Sequence, residues 1–368
     1  MPLRILSLAA VATLFALGAG ELLLRAFGIP DDTPWFQVFR RPRFSLMCFD
    51  SNESGSFDID LSDASQRARY ARRFKDGEFA KHWRTTPYCV EMRFNSLGYR
   101  ESEFAPKRAG VRRIVVVGDS VTYGHGLPES ASYPRQLESL LAARPGAEPT
   151  EVLNLGMGAY ELDRIAEVAS YALRALAPDV LVYGYFMNDP SWNGDVGMPA
   201  GHSTARQSGT RFEIGPPPVE GLHVTALVRR AAQRRAAADE FFAWHERLHA
   251  PDYWAPSGRL IEQMAESARA QGVRFVLLIL PLIWDLADHP LRQVHERIAA
   301  FAGQRGIETV DALPALSAFE ADDLIVHPQD RHPNAVHARI VAELLADVLA
   351  RPAPSAAGPS GARAMEPR

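Results

Sequence analysis

Several functional classes are excluded by what this sequence has little of. Cysteine is scarce: Cys48 and Cys89 are the only two in 368 residues, and two cysteines alone cannot build a structural zinc site. Charge of one sign is scarce as well. With 40 Lys and Arg against 44 Asp and Glu, the formal net charge is -4, so nothing points to a polyanionic partner or to nucleic acid. The densest basic stretch, Arg229-Arg230-Ala231-Ala232-Gln233-Arg234-Arg235, falls in a helical pattern and reads as a solvated helix face. There is no internal repeat.

A long hydrophobic run occurs at the N-terminus. Ile5 to Gly20 is apolar apart from Ser7 and Thr13; Glu21 is followed by three leucines and then Arg25. A spanning helix wants about 20 apolar residues, a length reached here only if Glu21 sits near the interface. An uncleaved signal anchor is favoured over a cleaved signal peptide, for which "ALGAG" offers small residues. Both readings export the rest of the chain: anchored to the inner membrane and facing the periplasm or cell exterior, or secreted if cleaved. Arg4 precedes the run while Arg25, Arg40, Arg41 and Arg43 follow it, so the positive-inside rule lends little support. In an exported protein Cys48 and Cys89 can pair and staple the N-terminal extension; two unpaired thiols are the alternative.

The chain divides into residues 1–28 as anchor or signal, 29–112 as an irregular extension packed on the main domain, 113–350 as the main domain, and 351–368 as a disordered Pro/Ala/Gly-rich tail. The extension shows no sustained periodicity; its ordered end is "RFNSLGYRESEF", with a turn at Ser96-Leu97-Gly98. From Arg113 the pattern changes. Ile114 to Val117 is a short apolar, β-branched run of the kind buried on both faces of a parallel sheet. Further strands are expected at Glu151–Gly156, Asp179–Phe186, Val273–Pro281 and in "IETVDA". Helices are expected at Tyr133–Ala143, Glu161–Ala175, Ser257–Ala270, Leu291–Gln304 and Asn334–Leu349. Alternation of this kind implies an α/β fold, a three-layer sandwich around a parallel sheet of about five strands. An insertion at about residues 190–250 interrupts it, loop-like first and helical from Val224 to His249.

In open parallel sheets, ligands meet the carboxyl ends of the strands. At those ends stand Asp119 and Ser120, then Gly156, Gly158 and Ala159, then Asn188 and Asp189; Asp330 and His332 precede the last helix. A serine needs a base to become a nucleophile, and an acyl transition state needs hydrogen-bond donors for its oxyanion. Both requirements are represented along one edge. "GMGAYE" lacks the third glycine of a dinucleotide fingerprint. His327, His332 and His337 fall five apart, whereas metal ligands on one helical face want three or four.

The sequence resembles the SGNH hydrolases, the GDSL-type esterases. "VVVGDSVTYGHG" is similar to their first block, with Val121 where many members have leucine; "NLGMGAYE", "FMNDP" and "DRHPNAVHARIVAELL" are similar to the second, third and last. The resemblance covers about residues 93–350. It implies a flavodoxin-like SGNH hydrolase fold and a serine hydrolase without metal or organic cofactor. Ser120 is the implied nucleophile, His332 the base and Asp330 its orienting acid. The implied oxyanion donors are the amide of Ser120, the amide of Ala159 or Gly158, and the Asn188 side chain. One departure stands out: Ala159 occupies the place where the family usually has glycine. Asp119 is expected to shape the turn, and Asp189 is either a cap or a support.

The expected activity is hydrolysis or transfer of an O-acyl group, foremost O-acetyl, on a cell-surface or secreted glycan or a small ester, through an acyl-serine. Lipase or thioesterase action on longer acyl chains, and a non-catalytic carbohydrate-binding module on the same fold, are the alternatives. The membrane is contacted through the N-terminal helix, and the sequence does not fix an oligomeric state.

Overall fold

The computed structural model describes residues 44–49, 56–60, 88–190, 239–327 and 330–352, with side chains from Val90 onward. The first departure from expectation lies in the extension. Instead of irregular chain, strands β1 (Phe44–Phe49), β2 (Ser56–Asp60) and β3 (Tyr88–Arg93) form an antiparallel sheet of order β2-β1-β3. The expected pairing of Cys48 with Cys89 falls on residues described by their backbone alone, in strands whose register sets the two opposite each other. The apolar run Ile5–Leu24 and most of the insertion lie outside the described residues; of the insertion's expected helix, residues 239–248 are described and are helical. Among the described residues no helix is long and apolar enough to cross a membrane.

The main sheet is built as the apolar runs predict. Strands β4 (Arg112–Gly118), β5 (Thr150–Gly156), β6 (Val180–Phe186), β7 (Arg274–Leu280) and β8 (Glu308–Asp311) lie in the order β5-β4-β6-β7-β8, all parallel. Helix α1 (Ser120–Tyr123) follows β4 directly, and α2 (Tyr133–Ala142), α3 (Leu162–Ala175), α4 (Pro251–Ala270), α5 (Arg292–Gln304) and α6 (Ala335–Leu349) cover the faces. Successive β4 side chains point to opposite faces. Ile114 and Val116 pack with Leu137, Leu141, Val341 and Leu345 of α2 and α6. Val115 and Val117 pack with Ile165, Ile261 and Ile298 of α3, α4 and α5. Two apolar cores therefore sandwich one sheet, which explains why its strands read as unbroken hydrophobic runs.

Helix α4 starts earlier than Ser257. Pro251 opens it, where a missing N–H costs nothing, and Pro256 is carried inside it. A second unexpected element precedes α6: β9 (Ile325–His327) and β10 (Asp330–Pro333) pair antiparallel, with an irregular register between Asp330 and Pro333. Asp330 and His332 thus sit on a short bulged hairpin, a device that re-aims side chains.

Gly118, Gly156 and Gly184 are register partners across β5, β4 and β6. All three face the residues that follow Ser120. A Cβ on Gly118 would meet Thr122 Oγ1 at 2.2 Å, one on Gly184 would meet it at 2.6 Å, and one on Gly156 would meet the Tyr123 backbone nitrogen at 2.3 Å. Thr122 sits in this hollow and shares a 2.8 Å hydrogen bond with the Tyr133 hydroxyl. Backbone cannot swing aside as a side chain can. Gly156→Ala is therefore expected to cost about 1–3 kcal/mol or more of stability and to displace Ser120. Urea unfolding and ester turnover together check this; native behaviour in both would show that the close approach is dispensable.

His337 is fully buried on α6, and neither ring nitrogen has a hydrogen-bond partner among the described residues. Burial drives its pKa down to about 3. Burial likewise lowers those of His249 and His289, each to about 4. A histidine depressed in the folded state leaves the unfolded chain to take up protons first. Stability is therefore lost as pH falls below the ordinary value of about 6.5. His337 alone should cost about 2 kcal/mol at pH 5 relative to pH 7. His337→Leu, of similar volume and without buried polar atoms, should flatten the dependence of the urea midpoint on pH between 7 and 5 by that amount. An unchanged slope would contradict the assignment.

Candidate active site

The sharp strand-to-helix step after β4 is fixed by Asp119. Its Oδ1 caps α1 by accepting the Val121 N–H at 2.9 Å, and its Oδ2 lies 3.3 Å from Ser120 Oγ. Burial pushes the Asp119 carboxyl up to about 6, against the opposing pull of the Val121 N–H and of His332. Asp119 shapes the turn, as expected. Asp189 is a support: its Oδ2 accepts from the Tyr183 hydroxyl at 2.7 Å and the Phe186 N–H at 3.0 Å, bracing the turn after β6. Burial holds Asp189 well above the usual carboxylate range, with Asp119 adding to the shift.

Ser120, His332 and Asp330 form one hydrogen-bonded chain. His332 Nε2 lies 2.9 Å from Ser120 Oγ, and His332 Nδ1 lies 2.5 Å from Asp330 Oδ1. The same Oδ1 accepts the His332 backbone N–H at 3.0 Å. Asp330 is nearly buried, and burial alone would disfavour its charge. His332 beside it, with hydrogen bonds from His125 and His332, nevertheless holds it well below the carboxylate range. For His332 burial also works against charge, but Asp330 outweighs it and raises the imidazole above its ordinary value. Such a chain can withdraw a proton from the serine hydroxyl and stabilise the resulting imidazolium.

The donors expected around Ser120 occupy three strand ends. Asn188 lies in the turn after β6, partly exposed, and its amide has no protein partner among the described residues. Gly158 and Ala159 form the turn after β5. That turn is tied down by the Met157 N–H to Gly118 O at 3.0 Å and closed by the Tyr160 N–H to Met157 O at 3.3 Å. Neither the Gly158 nor the Ala159 N–H donates to an acceptor among the described residues. Ala159 has φ 62°, the left-handed backbone that a type II turn requires at its third position and that glycine adopts without strain. The departure from the family's glycine is thus a strained alanine in a glycine conformation. Asn154, ahead of this turn, holds it to α1: its amide donates to Thr122 O at 2.9 Å and its Oδ1 accepts the Gly156 N–H at 2.9 Å.

Two participants escaped the sequence reading. His125 Nε2 lies 3.1 Å from Asp330 Oδ2, and its ring stacks on His332 with centroids 4.0 Å apart. Arg100, fully buried, donates to Gly124 O at 2.8 Å and to Leu127 O, bracketing the loop that carries His125. A histidine between two glycines, inside the block that carries the serine, was the available signal. His125, Asp330 and His332 are grouped closely, and the hydrogen bonds already described account for the grouping. The evenly spaced His327, His332 and His337 fall on β9, β10 and α6 and form no such group among the described residues.

The strain at Ala159 makes a prediction independent of catalytic role. Ala159→Gly removes roughly 1 kcal/mol of left-handed strain, partly offset by the greater freedom of the unfolded chain. Tm should hold or rise by a few degrees. Ala159→Val, β-branched at positive φ, should lower it. Thermal unfolding of the pair checks this, and the reverse order would remove the strained-turn account.

No curated protein matches the chain significantly. The model of the GDSL-like lipase/acylhydrolase family matches residues 116–340. Among solved structures, TesA is similar at 15% identity and a TM-score of 0.42, over 65% of this chain and 98% of its own. The acetyl xylan esterase AlAXEase is similar at 15% identity and TM-score 0.41, over 64% and 99%. Axe2, an acetylxylan esterase from Geobacillus stearothermophilus, is similar at 13% identity and TM-score 0.41, over 64% and 92%. From the family match over residues 116–340, the chain belongs to the GDSL-like lipase/acylhydrolase family.

Proposed function

We propose that the chain is a serine esterase or acyltransferase acting on O-acyl groups, foremost O-acetyl, of a cell-surface or secreted glycan. The observation that carries the catalytic part is the continuous chain from Ser120 Oγ through His332 to Asp330. Family membership supports ester chemistry. The apolar run Ile5–Leu24 supports an exported, membrane-anchored address at which glycan esters are the accessible substrates.

In this reading Ser120 Oγ attacks the ester carbonyl while His332 Nε2 takes its proton. The carbonyl oxygen becomes an oxyanion, met by the Ser120 amide, the Ala159 or Gly158 amide and the Asn188 side chain. Collapse breaks the bond to the alcohol, which leaves with the proton returned by His332. The acyl-Ser120 then passes its acyl group to water or to a sugar hydroxyl, with His332 again taking and returning a proton.

Turnover of p-nitrophenyl acetate by the detergent-solubilised full chain tests the reading. Ser120→Ala should abolish turnover and labelling by a fluorophosphonate. Asn188→Ala should lower kcat by about 100- to 1000-fold with normal folding. A preference for acetate over butyrate and octanoate esters is expected; a preference for octanoate would favour a lipase or thioesterase. Because His332 must be neutral to act, and because Asp330 raises its pKa, activity should rise with pH through a midpoint above about 6.5. Full turnover by Ser120→Ala would end the proposal.

A further inference from the structure

We propose that His125 is a positioning residue for the catalytic acid. It clamps the second oxygen of Asp330 so that the first stays on His332. The proposal rests on the reading of Ser120, His332 and Asp330 as the catalytic chain.

The geometry is that of a carboxylate held at both oxygens. Asp330 Oδ1 is taken by His332 Nδ1 at 2.5 Å and Oδ2 by His125 Nε2 at 3.1 Å. Asp330 is kept ionised, so both shared protons belong to the imidazoles and both nitrogens donate. The two rings lie one over the other, 4.0 Å between centroids and tilted by 32°. With the Asp330 side chain only 6% exposed, water is a poor substitute for either partner. Without the His125 donor, Oδ2 would be a buried charged oxygen left unsatisfied, and the carboxylate would be free to turn about its Cβ–Cγ bond.

The loop that carries His125 is held from outside the hydrolase core. Gly124 and Gly126 take left-handed backbone, φ 78° and 75°, on either side of it. The His125 N–H returns to Ser120 O at 3.1 Å, so His125 is anchored to the nucleophile's own backbone. Arg100, between β3 and β4, grips Gly124 O and Leu127 O and lies over the Tyr123 ring. A surface histidine with no task would not need a buried guanidinium to fix its loop.

The test separates the donor from the ring. Gln places an amide nitrogen near the His Nε2 position, Asn places one near Nδ1, and Phe keeps the stacked ring without a donor. With p-nitrophenyl acetate and the full chain in detergent, His125→Phe and His125→Asn should lower kcat by about 10- to 100-fold with KM within about threefold. His125→Gln should stay within about threefold of the native kcat. In an Asp330→Asn background, His125→Phe should cost less than a further threefold, because its effect passes through Asp330. Thermal unfolding of each variant identifies any that does not fold; if Phe fails, the Asn and Gln pair decides. A native kcat in His125→Phe, or equal losses in His125→Gln and His125→Asn with intact folds, would overturn the proposal. Full turnover by Ser120→Ala would instead overturn the catalytic chain itself, whatever the His125 variants do.

Discussion

The close approach of α1 to the sheet is the constraint on which the site depends. Three glycines in register open a hollow across β5, β4 and β6, and Thr122 fills it. Only with that hollow open can the chain leave β4, turn at Asp119 and hold Ser120 at the sheet's carboxyl edge. The close packing has a second effect. The same strand ends that yield space to α1 also launch the turns carrying Ala159 and Asn188. The positions of Ser120, Ala159 and Asn188 are therefore set by one piece of packing, and an error in the sheet is an error in the proposed site.

His332 and Asp330 arrive by a separate route. They belong to a short bulged hairpin leading into α6, and the Asn334 side chain caps that helix by accepting the Val336 N–H at 2.9 Å. The hairpin is fastened from its exposed side by Arg331, which donates to Ile283 O at 2.8 Å and lies over the Trp284 ring. Ser120 and His332 thus come from opposite ends of the family domain, and their 2.9 Å contact closes it. Two residues just ahead of β4 brace the domain. Glu101 pairs with Arg135 of α2 and accepts the Asn154 N–H at 3.0 Å, while Arg100 fixes the His125 loop.

The main sheet was legible because burial on both faces leaves no polar alternation to decode: Ile114–Val117 and the Val273–Pro281 run declare themselves by composition. The residues of the hydrogen-bonded chain Ser120–His332–Asp330 were legible through their blocks, since a serine at a strand end and an aspartate two before a histidine are local patterns. What the sequence hid was non-local. His125 meets Asp330 across 205 positions, and no local pattern announces a contact of that kind. Arg100 reads as a surface cation until the loop it grips is in place. Strands β1 to β3 were missed because they are short and carry no sustained alternation, and because 27 polar-rich residues separate β2 from β3, the second partner of β1 being reached only across that stretch. Strand β10 is short and bulged, and it carries neither alternation nor an apolar run. Helix α4 extends beyond its expected start because Pro251 sits where a helix tolerates proline, and Pro256 does not break it.

Three buried carboxyls, Asp119, Asp189 and Asp330, lie in the proposed site, and their environments divide them. Asp189 has one hydroxyl and one backbone donor and, among the described residues, an Oδ1 without a partner, and burial holds it well above the usual carboxylate range. Asp119 faces burial as well, relieved by the Val121 N–H and the nearby His332, and is left at about 6. Asp330 has two imidazole donors and a backbone N–H, enough to overcome burial and keep its charge. The division follows from donors rather than depth. In the proposed reaction, a charged Asp189 behind the Asn188 turn would oppose a second negative charge growing on an oxyanion, whereas a charged Asp330 would favour the positive charge growing on His332. Carboxyls with different tasks in one site are told apart by the hydrogen bonds around them, and for Asp330 those bonds include the one from His125.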